Sequence, residues 1–204
     1  MMKSPQRKLV LALCTGLVLA LLLWPRRPTE PPALATETLK ANESLKWYKG
    51  NVHTHSLWSD GDDYPEMIAL WYKERGYQFL SFTGHNVLHN VERRTDEEKN
   101  KGIRLAYEKL KAKFPGDWVE ERRNQGRLEV RLKQFHEVRG RLDEPGRFLL
   151  IQGEEISDRF GQLPIHLNVT NVKELIPPMN GESVAETIQN NVNAALAPRE
   201  RTGQ

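Results

Sequence analysis

The chain has 204 residues, 38% of them hydrophobic, a net charge of +3 and a single cysteine, Cys14. That length supports one domain with a sizeable core, and a lone cysteine excludes an intramolecular disulfide. Five positive charges (Lys3, Arg7, Lys8, Arg26 and Arg27) precede the first acid, Glu30, so the rest of the chain carries about −2 and no strong nucleic-acid-binding surface is indicated.

Lys3, Arg7 and Lys8 lead into an apolar run from Leu9 to Trp24. Residues 1–24 read as a signal anchor or a signal peptide. The run is a little shorter than the ~20 residues of a full span. Trp24, Arg26 and Arg27 suit a membrane interface. Ala33-Leu34-Ala35 fits a cleavage pattern but lies far from the apolar run. An uncleaved anchor is therefore preferred to cleavage, and a buried soluble helix comes last. Leu11-Ala12-Leu13-Cys14 matches a lipoprotein signal only loosely. The excess of basic residues before the run favours an exported domain. It would be anchored outside the cytoplasm, or secreted or periplasmic if cleaved. Residues 25–45, with Pro25, Pro28, Pro31 and Pro32, read as an extended linker. The folded domain is expected over 46–204.

Lys49 to His53 predicts a short strand. Asp63-Tyr64-Pro65-Glu66 has the form of a capping box with proline in the first turn. Tyr64, Met67, Ile68 and Trp71 then make the stripe of an amphipathic helix, stopped at Gly76. Tyr77 to Thr83 predicts the next strand, ending at Gly84-His85-Asn86. From 92 to 146 the chain is heavily charged. Ile103, Tyr107, Leu110 and Phe114 form one stripe; Leu128, Leu132, Phe135 and Leu142 form another. Pro115-Gly116 separates them, so a helical hairpin is expected as an insertion. Phe148 to Ile151 reads as a buried parallel strand, leading into Gly153-Glu154-Glu155-Ile156-Ser157. Ile165 to Val172 alternates, with Ile165, Leu167 and Val169 on one face and His166, Asn168 and Thr170 on the other. Ser183 to Leu196 predicts a last helix, with Val184, Ile188, Val192 and Leu196 spaced by four.

The chemistry concentrates in Asn51-Val52-His53-Thr54-His55-Ser56-Leu57-Trp58-Ser59-Asp60-Gly61. On a strand, residues i and i+2 share a face, so His53 and His55 can aim two imidazoles at one point. Asp60 can fold back from the following turn with a carboxylate. Nitrogen with hard oxygen suits zinc, manganese or iron. His85 and Glu155, at or just after predicted strand ends where α/β sites form, and His166, within a predicted strand, are further candidate ligands. A carboxylate ringed by imidazoles is the donor set of a two- or three-metal hydrolytic centre. His89 and His136 read as surface or insertion residues, and Trp58 and Trp71 as packing.

These segments, in this order, resemble the polymerase and histidinol phosphatase (PHP) superfamily. Val52-His53-Thr54-His55 with Ser59-Asp60-Gly61 is similar to its first motif. Phe79-Leu80-Ser81-Phe82-Thr83-Gly84-His85-Asn86 looks like its second. Gly153-Glu154-Glu155-Ile156-Ser157 looks like its third, with His166-Leu167 following. The resemblance covers about 48–196, interrupted by the insertion. It implies a distorted (βα)7 barrel, incomplete at the carboxyl end, and hydrolysis of phosphate esters by metal-activated hydroxide. It also implies two or three divalent ions (Mn, Zn or Fe) held by His53, His55, Asp60, His85, Glu155 and His166, with Glu155 bridging. The substrate would be a phosphorylated small molecule or a phosphodiester, with no side-chain nucleophile and no catalytic residue separate from the ligands.

Two departures stand out. The family has Asp before the second-motif histidine, where this chain has Gly84. The family's later His-Pro and Asp-x-His motifs do not occur in this sequence, so an N-terminal part of a longer barrel is expected. A membrane-anchored binding or scaffold domain and an amidohydrolase-type enzyme are the alternatives. Oligomeric state is left open.

Overall fold

The computed structural model describes residues 45–99 and 101–202; the expected anchor over 1–24 and all but the last residue of the linker lie outside them. From Trp47 onward the described residues form one unit. Strand β1 (Gly50–Asn51), helix α1 (Pro65–Glu74) and strand β2 (Phe79–Phe82) follow one another as a strand–helix–strand unit. Next come β3 (Arg94–Asp96), α2 (Lys101–Lys113), a 3₁₀ turn (Gly116–Trp118), β4 (Glu121–Asn124), β5 (Arg127–Arg131) and α3 (Phe135–Leu142). The chain continues through β6 (Leu149–Phe160), β7 (Leu163–Thr170) and α4 (Val184–Thr202). Among the described residues no helix is long and apolar enough to cross a membrane.

The architecture is mixed α/β. One sheet runs β1-β2-β6-β7, with β1, β2 and the first half of β6 parallel and β7 antiparallel to the second half of β6. Leu80 pairs with Leu150, and both are buried. Phe82, in the same strand, packs with Trp58 and Tyr64 in the core. That core continues through Leu110, Val130, Leu132 and Val138, so the insertion shares it.

The insertion departs from the helical hairpin expected over 92–146. Its helices α2 and α3 flank a second, antiparallel sheet in the order β3-β5-β4. Leu128, Val130 and Leu132 alternate with period two, and the last two are buried. The turn explains the rest. Gln125 and Gly126 have φ of 51° and 83° between paired Asn124 and Arg127. Two positive φ values in a two-residue loop match the right-handed strand twist, so the charged segment closes as a hairpin.

Two helix readings also change. Asp63 accepts a hydrogen bond from the Tyr64 amide (3.0 Å) and pairs with Lys109, while Tyr64 occupies the N-cap with no side-chain cap. Glu66 turns inward instead of capping. It is 1% exposed and accepts a hydrogen bond from Trp118 Nε1 at 3.0 Å, tying α1 to the insertion. Burial pushes its carboxyl up to about 7. A capping box does occur, at Gln134 and Glu137 of α3. Trp71, expected to pack, is 46% exposed with Arg75 stacked over its ring.

Helix α4 is turned about from its apolar stripe. Val184, Ile188 and Leu196 are exposed, while Thr187 and Asn191 are buried. Asn191 Nδ2 donates to Asp158 Oδ2 on β6 at 2.7 Å, and the Asn180 amide donates to the same oxygen at 2.9 Å. A satisfied polar network, not an apolar seam, docks this helix. Burial alone would raise the Asp158 carboxyl, but these hydrogen bonds hold it below the usual range.

Candidate metal centre

The first histidine pair leaves the end of β1. Asn51 organises it locally: its Oδ1 accepts the His53 amide (3.1 Å), and its Nδ2 donates to Thr54 Oγ1 (3.0 Å) and Tyr72 Oη (2.7 Å). A tight loop then folds back, because the Ser59 and Gly61 amides both donate to the Ser56 carbonyl and the Leu57 amide donates to that of Asp63. That loop returns Asp60 to His55, with Nδ1 to Oδ1 at 2.6 Å.

β2 runs on past Phe82 to set the second wall. The Glu155 amide donates to the Gly84 carbonyl (3.1 Å) and the Asn86 amide to the Glu155 carbonyl (3.0 Å), which fixes His85 opposite Glu155. Asn86, at φ 46°, closes the same junction with its side chain, giving and taking hydrogen bonds with the Ser157 backbone. On β7, His166 pairs with Ser157, two residues from Glu155 on the same face, and its Nδ1 lies 3.0 Å from Glu155 Oε1.

The structure thus brings all six predicted residues together. Glu155 is 5% exposed at the centre. Around it stand His55 Nε2 at 3.0 Å, His85 Nδ1 at 2.8 Å, His166 Nδ1 at 3.0 Å and His53 Nε2 at 4.0 Å. Asp60 closes the outer side, 3.3 Å from His85 Nε2, with its side chain 63% exposed. Burial would raise the Asp60 carboxyl, but its hydrogen bond to His55 and the charges of His55 and His85 hold it low. Three groups of donor atoms converge closely enough to hold a metal ion: His53, His55 and Glu155; His55, Asp60 and His85; His85, Glu155 and His166.

The donor chemistry fits such an ion. His55 Nε2 and Glu155 Oε2 are both buried and lie 3.0 Å apart, yet neither has a hydrogen-bond partner. Buried polar atoms are normally paired, and here two lone-pair donors face a common point. Adjacent Glu154 points the other way, as strand alternation requires. It accepts the Ile176 amide at 2.7 Å, and burial pushes it up to about 7.

Two residues absent from the expectation hold the ligands. Thr83 Oγ1 sits 2.8 Å from His53 Nδ1, and Ser157 Oγ sits 2.5 Å from His85 Nδ1. Contacts of this kind fix ring orientation and tautomer in metal sites. Each lies two residues from a ligand along a strand, so the period-two rule would have pointed to both. His136 is exposed, as expected. His89 is not: it is 3% exposed, stacked on Trp58 at 4.9 Å and tilted against Phe82. It lies in the core, where the apolar Phe82 strand and the Trp58 loop close over it.

Comparison with models of known families, with curated proteins and with solved structures finds no match for this chain.

Proposed function

We propose that the chain is a metal-dependent phosphoesterase of the PHP type, exported and held at a membrane by its N-terminal segment. The buried pair His55 Nε2 and Glu155 Oε2, close together and unbonded, carries this reading. Two acceptors so placed call for a cation between them. Glu155, with His53, His55, His85 and His166, would hold two or three ions, and Asp60 would add a carboxylate on the outer side. Manganese, zinc and iron suit these ligands. Ions held there supply Lewis acidity and bring the pKa of water toward neutrality. Thr83 and Ser157 orient His53 and His85, and Glu155 keeps the inner side of the centre closed. No side-chain nucleophile is required, because in-line attack on phosphorus needs positioning and charge neutralisation. The parallel run β1-β2-β6 would be one part of the distorted (βα)7 barrel that this reading implies. The substrate is a phosphorylated small molecule or a phosphodiester.

The test is the full chain loaded with manganese, zinc or iron and assayed on phosphomonoesters and phosphodiesters. Hydrolysis is expected, and Glu155→Gln should lose both bound metal and activity. Inactivity on both substrate types with all three metals would sink the proposal. Metal retained without hydrolysis would make the chain an anchored binding module, and cleavage of amides instead would make it amidohydrolase-like.

A further inference from the structure

Beside the Asp60 edge of the metal centre lies a cleft of ≈ 540 Å³, large enough for a small organic ligand. One wall is the Leu57–Asp62 loop that carries Asp60; the other is β3 and the start of α2, with Arg93, Arg94 and Lys99. Arg93 is tethered to this loop by a hydrogen bond from Nη1 to the Trp58 carbonyl, which leaves the rest of its guanidinium uncommitted. Arg94 pairs with Glu92 Oε1 at 3.4 Å and donates from Nη1 to the Glu120 carbonyl at 3.3 Å, which leaves its Nη2 uncommitted. Lys99 Nζ has no partner among the described residues. The acids of the cleft are mostly committed. Asp60 belongs to the metal centre, and Asp96 is paired with Arg127 at 3.0 Å and caps the Glu98 amide. Of the cleft's acids only Asp62 stands open, against Lys99 and the free guanidinium edges of Arg93 and Arg94.

The geometry points to a second anion subsite: Arg93, Arg94 and Lys99 hold a second phosphoryl group of a substrate whose first phosphoryl sits at the metal centre. The substrate class is then a small bisphosphorylated molecule. Arginine offers a planar fork and lysine a point charge, the pairing that suits a phosphoryl oxygen cluster. A carboxylate would use less of that donor set. Identifying the first phosphoryl rests on the phosphoesterase reading; anion binding in the cleft does not.

Two measurements on the full chain separate the two. First, the chain stripped of metal with chelator is titrated calorimetrically with inorganic phosphate and with acetate. Phosphate should bind more tightly than acetate, weaken with added salt, and lose about tenfold in affinity in Lys99→Ala and in Arg94→Gln. Lys99 is exposed, so its variant should fold normally. Phosphate binding unchanged in both variants, or acetate bound as tightly as phosphate, overturns the subsite. Second, kcat/KM of the metal-loaded chain for fructose 1,6-bisphosphate is compared with that for p-nitrophenyl phosphate. The ratio should fall about tenfold in the double variant. Variant-sensitive phosphate binding in a chain that hydrolyses neither compound supports the subsite and sinks the phosphoesterase. Hydrolysis of both with a ratio the variants leave unchanged sinks the subsite and leaves the phosphoesterase standing.

Discussion

Gly84 stands where a side chain has no room. A Cβ there would lie 2.9 Å from Val87 Cγ1 and 3.0 Å from Ser59 Oγ, next to the loop that carries Asp60. An Asp here, as in the PHP superfamily that the sequence resembles, would have to displace the Val87 and Ser59 side chains. Gly84→Ala should cost about 1–3 kcal/mol by overpacking, seen as a melting temperature lowered by several degrees. Part of the loss should return in a Ser59→Gly background, and a double variant no better than the single one would refute the clash with Ser59. His89 offers a second check at this scale. Burial, with the Arg93 charge nearby, pulls its pKa down from the ordinary 6.5 to about 3. Between those values the unfolded chain takes up a proton that the folded chain refuses. Stability from this group is therefore full above about pH 6.5 and falls as pH drops toward 3. His89→Phe keeps the ring stack and removes the titration. Its advantage in chemical denaturation should grow by on the order of 2–3 kcal/mol between pH 7 and pH 4. Parallel pH profiles for the two proteins would contradict the buried neutral imidazole.

Among the elements, α4 is the one held against its own pattern. Val184, Ile188 and Leu196 of its stripe are exposed while Thr187 and Asn191 are inward, because Asp158 on β6 needs donors once buried. Asn191→Ala removes a hydrogen bond to a carboxylate and should cost about 1.5–3 kcal/mol. Ile188→Ser, on the exposed face, should stay within about 0.5 kcal/mol of the parent. Urea midpoints for the two variants measure this, and the reverse order would mean that the helix docks by its apolar face. The insertion shows how its elements cooperate: Glu66 of α1 accepts Trp118 of the 3₁₀ turn, Trp58 donates to the Lys133 carbonyl, and Arg131 of β5 forms a bidentate pair with Glu137 of α3. These ties, with the shared core, make the insertion part of the domain.

For the whole molecule, the six donors come from segments far apart in sequence, from His53 near β1 to His166 on β7. An ion held by them ties the carboxyl ends of β1 and β2 to both strands of the β6–β7 pair. Dialysis against chelator should lower the melting temperature, and adding back manganese or zinc should restore it by mass action on the folded state. The gain should shrink as the buffer becomes acidic, because imidazole must be neutral to ligate. Scanning calorimetry at several pH values would show it, and a melting temperature indifferent to chelator at every pH would argue against a folded-state metal.

What the sequence determined by itself is whatever period and spacing encode. The β1–α1–β2 unit, the parallel start of β6 and the alternation of β7 follow from apolar patterning over a few residues, although Leu149 in that start is exposed. The six candidate ligands were legible from the His53–His55 spacing, the glycine turn that carries Asp60, and the strand patterns that carry or end at His85, Glu155 and His166. Thr83 and Ser157 were legible by the same rule, though nothing in their residue type marks them out. Tertiary structure decided the rest. The Leu128–Leu142 stripe satisfied helical spacing by coincidence, and a two-residue turn with positive φ at Gln125 and Gly126 made part of it a hairpin. His89 went into the core and Glu66 turned from cap to buried acceptor, because Trp58 and Trp118 arrive there from distant parts of the chain. Helix α4 turned its stripe outward for a buried carboxylate on another strand. Local pattern specifies which residues share a face; what that face meets depends on groups brought in by chain folding, and burial then sets their hydrogen bonds and charges.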